Sequence, residues 1–512
     1  MKTSLLSSLK LSFICLFISS FGLSSYAAPY EEEIEDEEDE VDTLTVRYAH
    51  QMESILQRDL INYHFEDKEL IPTRKFDYNY SHKKVYTTAE KADCVNILIV
   101  VKDYLYDNLG NYCNQYADDI LRYAGYTSAI ETVHLDTYSQ VKDLILSYNS
   151  NIFKGVVFVG DIACAFYEQT YEKAYTYWPC DLYYMDLDGN WYDNDGNDIF
   201  DKHEKKVKPE IFVSRIMAHT FSKYGTEVDL IKKYFEKDHN YWTEGAPNFT
   251  NALAYTSKDW ARRADFGNKG IGHLYGTSNY IKLEEPSYNP FGKADYIYQN
   301  QFNYSIIQLS AHSYPSLHII DNNVGSSDIY LRTSDIMNKH TQALCYNLFC
   351  CSALNWTTNS TGGYIGGSYL FNNGTSLTIV GSTKSGSMLK FKHFYKELAN
   401  GETIGESFTY WFQKAPGASH SSEDISWFYG MSIHGDPCIR LVQNQKFRIS
   451  PNQYNQEVVI DEDVNFVYKV YDMNGQLLVS GNDKEVINNL PHGLFIVNQI
   501  SDNETISYKI YR

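Results

Sequence analysis

Two short apolar runs in the middle of the chain each end in a side chain that can do chemistry. The run at residues 304–311 is followed by His312, and the run at residues 343–349 is followed by Cys350 and Cys351. Such runs are typical of buried strands, and parallel neighbours would present their ends at one sheet edge, where ligands bind. A thiolate is the nucleophilic form of cysteine and an imidazole can take its proton, so this pairing predicts a cysteine nucleophile.

The residues alone leave the roles of these side chains open. A cysteine at a strand end is often only a small core residue, and nothing in the pattern itself chooses between Cys350 and Cys351. His318 is a second candidate base, farther beyond the predicted strand end. Asp161, at the end of another apolar run, is a candidate for orienting His312.

The elements that must position these groups alternate along the chain. Apolar runs that predict further strands occupy residues 95–101, 128–133, 155–160, 209–216, 251–256 and 376–381, and residues 430–441 close the domain. Amphipathic runs that predict helices occupy residues 112–123, 139–148, 227–242, 390–398 and 404–413. This order predicts an α/β fold with a mostly parallel sheet flanked by helices. The loop after residues 376–381, which includes Thr383, would then wall a substrate pocket at the same edge.

Composition excludes one class of function. The 512 residues carry a formal charge of -21, and no basic stripe is present to neutralise phosphates, so nucleic-acid binding is not expected. Residues 31–42 contain ten acidic side chains, which is typical of a solvated tail. The eight cysteines outside the amino-terminal 27 residues are scattered and include no CxxC pair, so no dense disulfide framework or zinc array is predicted.

The chain divides into four predicted segments. Residues 1–27 are typical of a secretory signal peptide, because lysines precede an apolar run that ends in small residues. Residues 28–92 form an acidic leader or propeptide, and residues 93–442 form the α/β domain. Residues 443–512 show short alternating strands at 466–471, 476–480, 493–498 and 506–511, which predict a small all-β sandwich.

An acidic, aromatic stretch at residues 178–198 follows the third predicted strand of the α/β domain. Its carboxylates alternate with glycine bends, an arrangement that suits calcium, which takes six to eight oxygen ligands. The candidate ligands are Asp186, Asp188, Asp193, Asp195 and Asp198. Their spacing is not that of an EF-hand, and the alternative is a solvated loop rich in turns.

Several ordered blocks in residues 93–442 resemble the gingipain family of cysteine peptidases, which has the caspase-like fold. The blocks are Val156-Val-Phe-Val-Gly-Asp-Ile, Cys180-Asp-Leu-Tyr-Tyr, Pro209-Glu-Ile-Phe-Val-Ser-Arg, His312 after its strand, Asn347-Leu-Phe-Cys-Cys-Ser-Ala, Val380-Gly-Ser-Thr and Gly435-Asp-Pro. The resemblance implies a mostly parallel caspase-like sheet and a peptidase that needs no cofactor for catalysis. It assigns the base to His312 and the nucleophile to Cys351, because Cys351-Ser-Ala fits the family pattern better than Cys350-Cys-Ser.

The resemblance also implies roles for two neighbouring groups. In the family an amide next to the histidine helps to form the oxyanion hole, so Ser313 is expected to supply it, although the usual His-Gly is His-Ser here. In arginine- and lysine-specific members an acidic residue before a Tyr-Tyr pair lies in the primary pocket, and Asp181 holds that place. Asp181 would pair with a basic P1 side chain, or would be one more ligand in the acidic loop.

The carboxyl-terminal segment is similar to sorting domains of the type IX secretion system. The residues that carry this similarity are Val470-Tyr-Asp-Met-Asn-Gly-Gln, Asn489-Leu-Pro-His-Gly-Leu-Phe-Ile-Val and the terminal Lys509-Ile-Tyr-Arg. We therefore expect an exported cysteine endopeptidase that is secreted or lies on the cell surface. Its expected partners are the type IX secretion machinery and protein or peptide substrates, and no transmembrane segment is expected. The alternative is a non-catalytic surface protein for binding or adhesion, built on a degenerate peptidase fold, since its many tyrosine and tryptophan residues would suit glycan or protein contact.

Overall fold

A computed structural model describes most of the chain after residue 79. The described residues are 80–134, 136–171, 174–204, 207–244, 251–262, 266–276, 278–320, 329–357, 360–415, 421–442, 467–471, 476–481, 494–500 and 505–511. The predicted signal peptide, the acidic run and most of the predicted leader lie outside these residues.

The described residues contain 22 strands and eleven α-helices. The strands are β1 (Ser81–Thr87), β2 (Ile97–Lys102), β3 (Ser128–His134), β4 (Gly155–Val159), β5 (Phe166–Tyr171), β6 (Ala174–Pro179), β7 (Trp191–Tyr192), β8 (Lys202–His203), β9 (Phe212–Ile216), β10 (Ala252–Thr256), β11 (Tyr280–Glu284), β12 (Ile306–Ser310), β13 (His312–Tyr314), β14 (Leu317–Ile319), β15 (Tyr330–Arg332), β16 (Cys345–Phe349), β17 (Thr378–Ser382), β18 (Met431–Gly435), β19 (Val467–Tyr471), β20 (Leu477–Gly481), β21 (Leu494–Ile500) and β22 (Thr505–Tyr511). The helices are α1 (Asp103–Asp119), α2 (Tyr138–Leu146), α3 (Leu182–Met185), α4 (Glu227–Glu244), α5 (Gly272–Tyr275), α6 (Lys293–Gln299), α7 (Thr333–Met337), α8 (Ile365–Phe371), α9 (Lys392–Ala399), α10 (Ile404–Lys414) and α11 (Ser422–Phe428).

Eleven strands form one central sheet in the order β1-β3-β2-β4-β9-β18-β17-β16-β12-β10-β11. Eight of the ten neighbouring pairs are parallel, and only β1 with β3 and β17 with β18 are antiparallel. The predicted α/β fold with a mostly parallel sheet flanked by helices is therefore confirmed. Central strands such as β12 and β16 are buried along their whole length, which is why they are mostly apolar in the sequence.

The antiparallel pair β17–β18 divides the sheet into two halves whose strands run in opposite directions. β10, β12, β16 and β17 share one direction, whereas β2, β4, β9 and β18 run the other way. The carboxyl ends of the two groups consequently lie at opposite edges of the sheet.

Polar side chains inside the sheet pin β12 against β16. Gln308 on β12 lies opposite Asn347 on β16. The hydroxyl of Tyr395, on α9, donates to Gln308 Oε1 at 2.9 Å and accepts from Asn347 Nδ2 at 3.2 Å. All three residues are buried, so a slip of either strand would separate a bonded polar group from its partner.

The carboxyl-terminal strands β19 to β22 form a four-stranded antiparallel sheet in the order β20-β19-β21-β22. The four strands predicted in residues 443–512 are thus present, and a second sheet that would complete a sandwich stays a prediction. At the other end of the described chain, β1 pairs with β3 although it lies in the segment predicted as a leader. Within the described residues, no helix combines the length and the apolar character that crossing a membrane requires.

A pair of buried carboxyl groups lies where α1, α4 and the residue after β18 meet. Asp436 accepts hydrogen bonds from the Tyr116 hydroxyl and the Cys438 amide, both at 2.8 Å. Asp238, on α4, interacts with Asp436 and has one oxygen that is buried without a hydrogen-bond partner. Burial, reinforced by the nearby carboxylates of Asp436 and Asp119, raises the pKa of Asp238 well above its usual range.

Asp238→Asn should stabilise the protein at pH 8 by about 1–3 kcal/mol, because it removes a buried carboxyl that the fold holds poorly in its charged form. The pKa of Asp238 is higher in the folded than in the unfolded chain. The contribution of Asp238 to stability is therefore largest below its unfolded pKa of about 3.9 and is lost as the pH rises toward the folded pKa. Urea unfolding at pH 4 and pH 8 measures the difference. Glu236→Gln, at an exposed position of the same helix, is the control. An equal effect of Asp238→Asn at both pH values would contradict this explanation.

Candidate active site

The two predicted reactive strand ends lie side by side. β12 and β16 are adjacent and parallel, with Ser310 opposite Phe349. The pairing continues past the strands, since the Ala311 amide donates to the Phe349 carbonyl at 3.2 Å. Side chains alternate between the two faces of a sheet. Continued past the strand ends, this alternation places His312 on the face of Ser310 and predicts Cys351 on the same face, that of Phe349.

An aromatic side chain connects the two strand ends on this face. The ring of Trp260 meets the His312 ring edge-on at 4.5 Å between centroids and the Phe349 ring at 5.6 Å. Trp260 is buried, so it fixes the imidazole from one side without competing for its nitrogen atoms. His312 and the end of β16 are therefore packed against one common residue.

The imidazole has a carboxylate partner that the sequence analysis did not identify. Asp259 lies in the one-turn 3₁₀ helix Lys258–Trp260, directly after β10, the neighbour of β12. Its Oδ2 is 3.0 Å from His312 Nε2, and both side chains are largely buried. The hydrogen bond to His312 lowers the pKa of Asp259, so the carboxyl is held ionised.

Asp161, the residue predicted to orient His312, lies elsewhere. It follows β4, which belongs to the half of the sheet that runs opposite to β12, so the end of β4 lies at the other edge. The prediction for Asp161 is wrong for this topological reason. The signal for Asp259 was present in the sequence, because Ser257-Lys-Asp-Trp follows the apolar run at residues 251–256 in the same way that His312 follows its own run.

The two adjacent cysteines differ in environment. Cys350 points to the opposite face, is buried, and has its sulfur 3.6 Å from the Leu309 carbonyl. Burial raises the pKa of the Cys350 thiol well above its usual range, which keeps it protonated. Cys351 is half-buried, and the two cysteines are not joined by a disulfide. Accessibility therefore favours Cys351 over Cys350 as a nucleophile.

The turn after Cys351 is anchored to the loop after β17. Ser352 has a left-handed backbone with φ of 55°, and its amide donates to the Lys384 carbonyl at 2.8 Å. The Lys384 ammonium is itself buried, where it bonds the Ser426 carbonyl and lies over the Trp178 ring at 4.4 Å. This sharp turn ends the strand direction immediately after Cys351, which leaves that side chain at the edge of the sheet.

Two further predicted residues are committed to internal contacts. Thr383 is buried, and its hydroxyl donates to the Pro179 carbonyl at 2.7 Å. His318 is buried, with Nδ1 2.9 Å from the Ser313 hydroxyl, and burial lowers the pKa of His318 to about 3. A histidine that stays neutral and enclosed in this way does not suit the role of a catalytic base. Ser313 itself directly follows His312 in β13.

Asp181, predicted in the primary substrate pocket, is the counterion of an internal arginine. The guanidinium of Arg215 donates to both Asp181 oxygens, at 2.7 Å and 2.9 Å, and Ser432 Oγ donates to one of them at 3.0 Å. Both charged side chains are fully buried, and the rings of Phe158 and Trp356 cover the guanidinium at 4.8 Å and 4.6 Å. Asp181 therefore has a structural partner inside the protein. This geometry does not support a role for Asp181 in the substrate pocket.

The acidic stretch separates into two groups. The carboxylates of Asp186, Asp188 and Glu210 lie within 4.8 Å of one another, the only such cluster among the described residues. Burial raises the pKa of Asp186, and the Lys142 ammonium beside it favours the charged form.

The predicted ligands Asp193, Asp195 and Asp198 are not part of that cluster. The Asp193 carboxylate accepts from the amides of Gly196, Asn197 and Asp198, so it organises its own loop. Asp198 accepts from the Tyr138 hydroxyl at 2.7 Å. The structure thus brings together two of the five predicted ligands and adds Glu210, and calcium binding stays a prediction.

Comparison with known proteins returns only distant structural similarity. The sequence matches no protein-family model and no curated protein. Solved structures similar to this chain include the Arg-specific cysteine proteinase gingipain R (RgpB), at 12% identity and a TM-score of 0.47, over 83% of this chain and 100% of that one. The complex of Porphyromonas gingivalis RgpB pro- and mature domains shows 13% identity and a TM-score of 0.47, over 81% of this chain and 99% of the other.

Removing one partner of the Arg215–Asp181 pair should lower the free energy of unfolding by about 3–5 kcal/mol, because an uncompensated buried charge remains. Arg215→Met and Asp181→Leu test this separately, and the double variant should recover part of the loss. Lys232→Met, which breaks an exposed pair with Glu236, should cost less than about 1 kcal/mol. Unchanged stability of Asp181→Leu, together with altered cleavage after basic residues, would instead place Asp181 in a substrate pocket.

Proposed function

We propose that this protein is a cysteine endopeptidase with Cys351 as the nucleophile and His312 as the base. The observation that carries the proposal is the pairing of His312 with Asp259 at the end of β12, directly beside the end of β16 that bears Cys351. A buried, ionised carboxylate on an imidazole next to an accessible cysteine is the arrangement that activates a thiol for acyl transfer.

In this reaction His312 takes the proton from the Cys351 thiol, and the thiolate attacks the carbonyl carbon of the scissile peptide bond. Backbone amides near Ser313 and Cys351 hold the developing oxyanion. The tetrahedral intermediate collapses as the C–N bond breaks, and the imidazolium gives its proton to the leaving amine. Water, deprotonated by His312, then hydrolyses the thioester and restores the thiol.

Asp259 orients the base in this scheme. Its hydrogen bond occupies Nε2 of His312, so Nδ1 is the nitrogen available to the thiol. When His312 becomes an imidazolium, the Asp259 carboxylate stabilises the positive charge within a largely buried site. Trp260 limits rotation of the ring about its bond to the chain, which keeps the orientation constant.

Cleavage after basic residues is the finer part of the proposal, and it draws on the family resemblance alone because Asp181 pairs internally with Arg215. Fluorogenic peptides that differ only at P1, with arginine, lysine, leucine or glutamine, test it directly. A preference for arginine and lysine would support a pocket carboxylate other than Asp181. Equal turnover of all four peptides would remove basic P1 specificity from the proposal.

We further propose that the chain is exported and that residues 443–512 direct it through a type IX secretion machinery to the surface or the medium. The signal-like amino terminus and the four antiparallel strands β19 to β22 support this. Deletion of residues 443–512 should leave the protein in the periplasm, whereas deletion of residues 31–42 should not change its destination. Normal release of the chain without residues 443–512 would contradict the sorting role.

Cys351→Ala should reduce kcat/KM for peptide hydrolysis by about 10⁴-fold or more, since it removes the atom that forms the acyl intermediate. Cys350→Ala is the matched control, because its sulfur is buried on the other face; it should retain activity within about threefold. Steady-state hydrolysis by the full chain under reducing conditions measures both. Loss of activity in Cys350→Ala alone would reverse the assignment.

Asp259→Asn should lower kcat/KM by about 10²–10⁴-fold, because an amide cannot hold the imidazole in the same tautomer or stabilise its charged form. Asp161→Asn, at the opposite sheet edge, is the control and should have little effect. The unfolding temperature of each variant separates catalysis from stability. An active Asp259→Asn protein would show that His312 needs no carboxylate.

A further inference from the structure

β13, the short strand that begins with His312, forms the edge of a small three-stranded sheet with β14 and β15. It pairs with β14 in antiparallel register, with His312 opposite Ile319, Ser313 opposite His318 and Tyr314 opposite Leu317. The two residues Pro315 and Ser316 close this hairpin. The residues that flank a two-residue turn form a hydrogen-bonded pair, so the next pair, Ser313 and His318, is a non-hydrogen-bonded one.

The backbone amide of Ser313 must therefore point away from β14. The residues before β13 indicate the same direction for the Ser313 amide independently. The Ala311 amide points toward β16, where it donates to the Phe349 carbonyl. Amides two residues apart in an extended chain point to the same side. Both registers direct the Ser313 amide toward the end of β16, where Cys351 lies.

A hydrogen bond joins the side chains of Ser313 and His318 across β13 and β14. Members of a non-hydrogen-bonded pair have close side chains, and His318 Nδ1 lies 2.9 Å from Ser313 Oγ. Ser313 Oγ is 3.0 Å from the Leu317 carbonyl, to which it donates. The Leu317 carbonyl accepts this hydroxyl proton, and the Tyr314 carbonyl at 3.2 Å is a second acceptor. We therefore place a proton on Nδ1 of His318, which the hydroxyl oxygen accepts.

The remaining nitrogen of His318 supports this assignment. Nε2 is buried without a hydrogen-bond partner in the described structure, so it is a bare lone pair and not an unpaired N–H group. Burial lowers the pKa of His318 to about 3, which keeps the ring neutral at every pH where a thiol peptidase would work. The chain His318–Ser313–Leu317 is consequently a permanent tether between β13 and β14.

We propose that His318 and the Ser313 hydroxyl are positioning residues, which hold β13 so that the Ser313 amide faces the oxygen of the tetrahedral intermediate formed at Cys351. This rests on the proposed peptidase function and assigns a task to two side chains that do not touch the reacting atoms. The tether restricts the backbone at Ser313, the residue after the histidine. An amide that is already fixed in place needs no reorganisation during the reaction.

His318→Leu tests the tether. It should lower kcat for a good peptide substrate about 10-fold, less than the 10²–10³-fold that follows outright loss of an oxyanion donor, and should leave KM within about twofold. His318→Asn is the rescue variant, because its amide nitrogen can replace Nδ1, and it should recover most of kcat. Ser313→Ala should resemble His318→Leu, and His340→Leu, at an exposed histidine, should change nothing.

Activity is measured well below the lowest unfolding temperature, and amide hydrogen exchange over residues 311–320 gives a second readout that needs no turnover. Faster exchange together with a lower kcat in His318→Leu, both restored by Asn, is the expected result. Wild-type kcat and exchange in His318→Leu would overturn the tether while leaving the peptidase intact. A wild-type protein that cleaves no peptide would overturn the function itself, and the positioning role with it.

Discussion

The in-register parallel pairing of β12 with β16 is the constraint on which the candidate site depends. Each strand leads to one reactive group at its carboxyl end, and the match of Ser310 with Phe349 is the register that would place both groups on one face. A shift by one residue would move one of them to the other face. The buried bridge from Gln308 through Tyr395 to Asn347 makes such a shift costly, because it would leave polar groups unsatisfied inside the sheet.

The third strand of this half of the sheet completes the site. β10 lies on the other side of β12, and the short turn after it supplies both the carboxylate that holds His312 and the indole that packs against the ring. Three consecutive parallel strands therefore contribute a carboxylate, an imidazole and a thiol in spatial order. The antiparallel step from β17 to β18 separates this edge from the edge at which β4 and β9 end.

Local apolar patterns were sufficient to predict most of the large sheet and its helices, because buried parallel strands are short runs of apolar residues. The same patterns placed His312 and Cys351 at strand ends. They carried no information on strand direction between distant segments, and so Asp161 was expected at an edge that β4 does not reach. Asp181 was assigned from its place before two tyrosines, whereas its partner, Arg215, comes from a strand that only folding brings near. The distinction between Cys350 and Cys351 likewise needed the alternation of faces and the burial of one sulfur.

If Cys351 and His312 act as proposed, folding converts the Cys351 thiol into a thiolate through His312. The most direct measurement is the rate of alkylation of Cys351 by iodoacetamide as a function of pH, read by mass spectrometry in the wild type and in His312→Ala. We expect rapid, selective labelling of Cys351 in the wild type at pH 6, where an ordinary thiol with a pKa of about 8.5 reacts slowly. In His312→Ala the rate should follow that ordinary thiol. The same pH profile in both proteins, or labelling of Cys350 in place of Cys351, would contradict the claim.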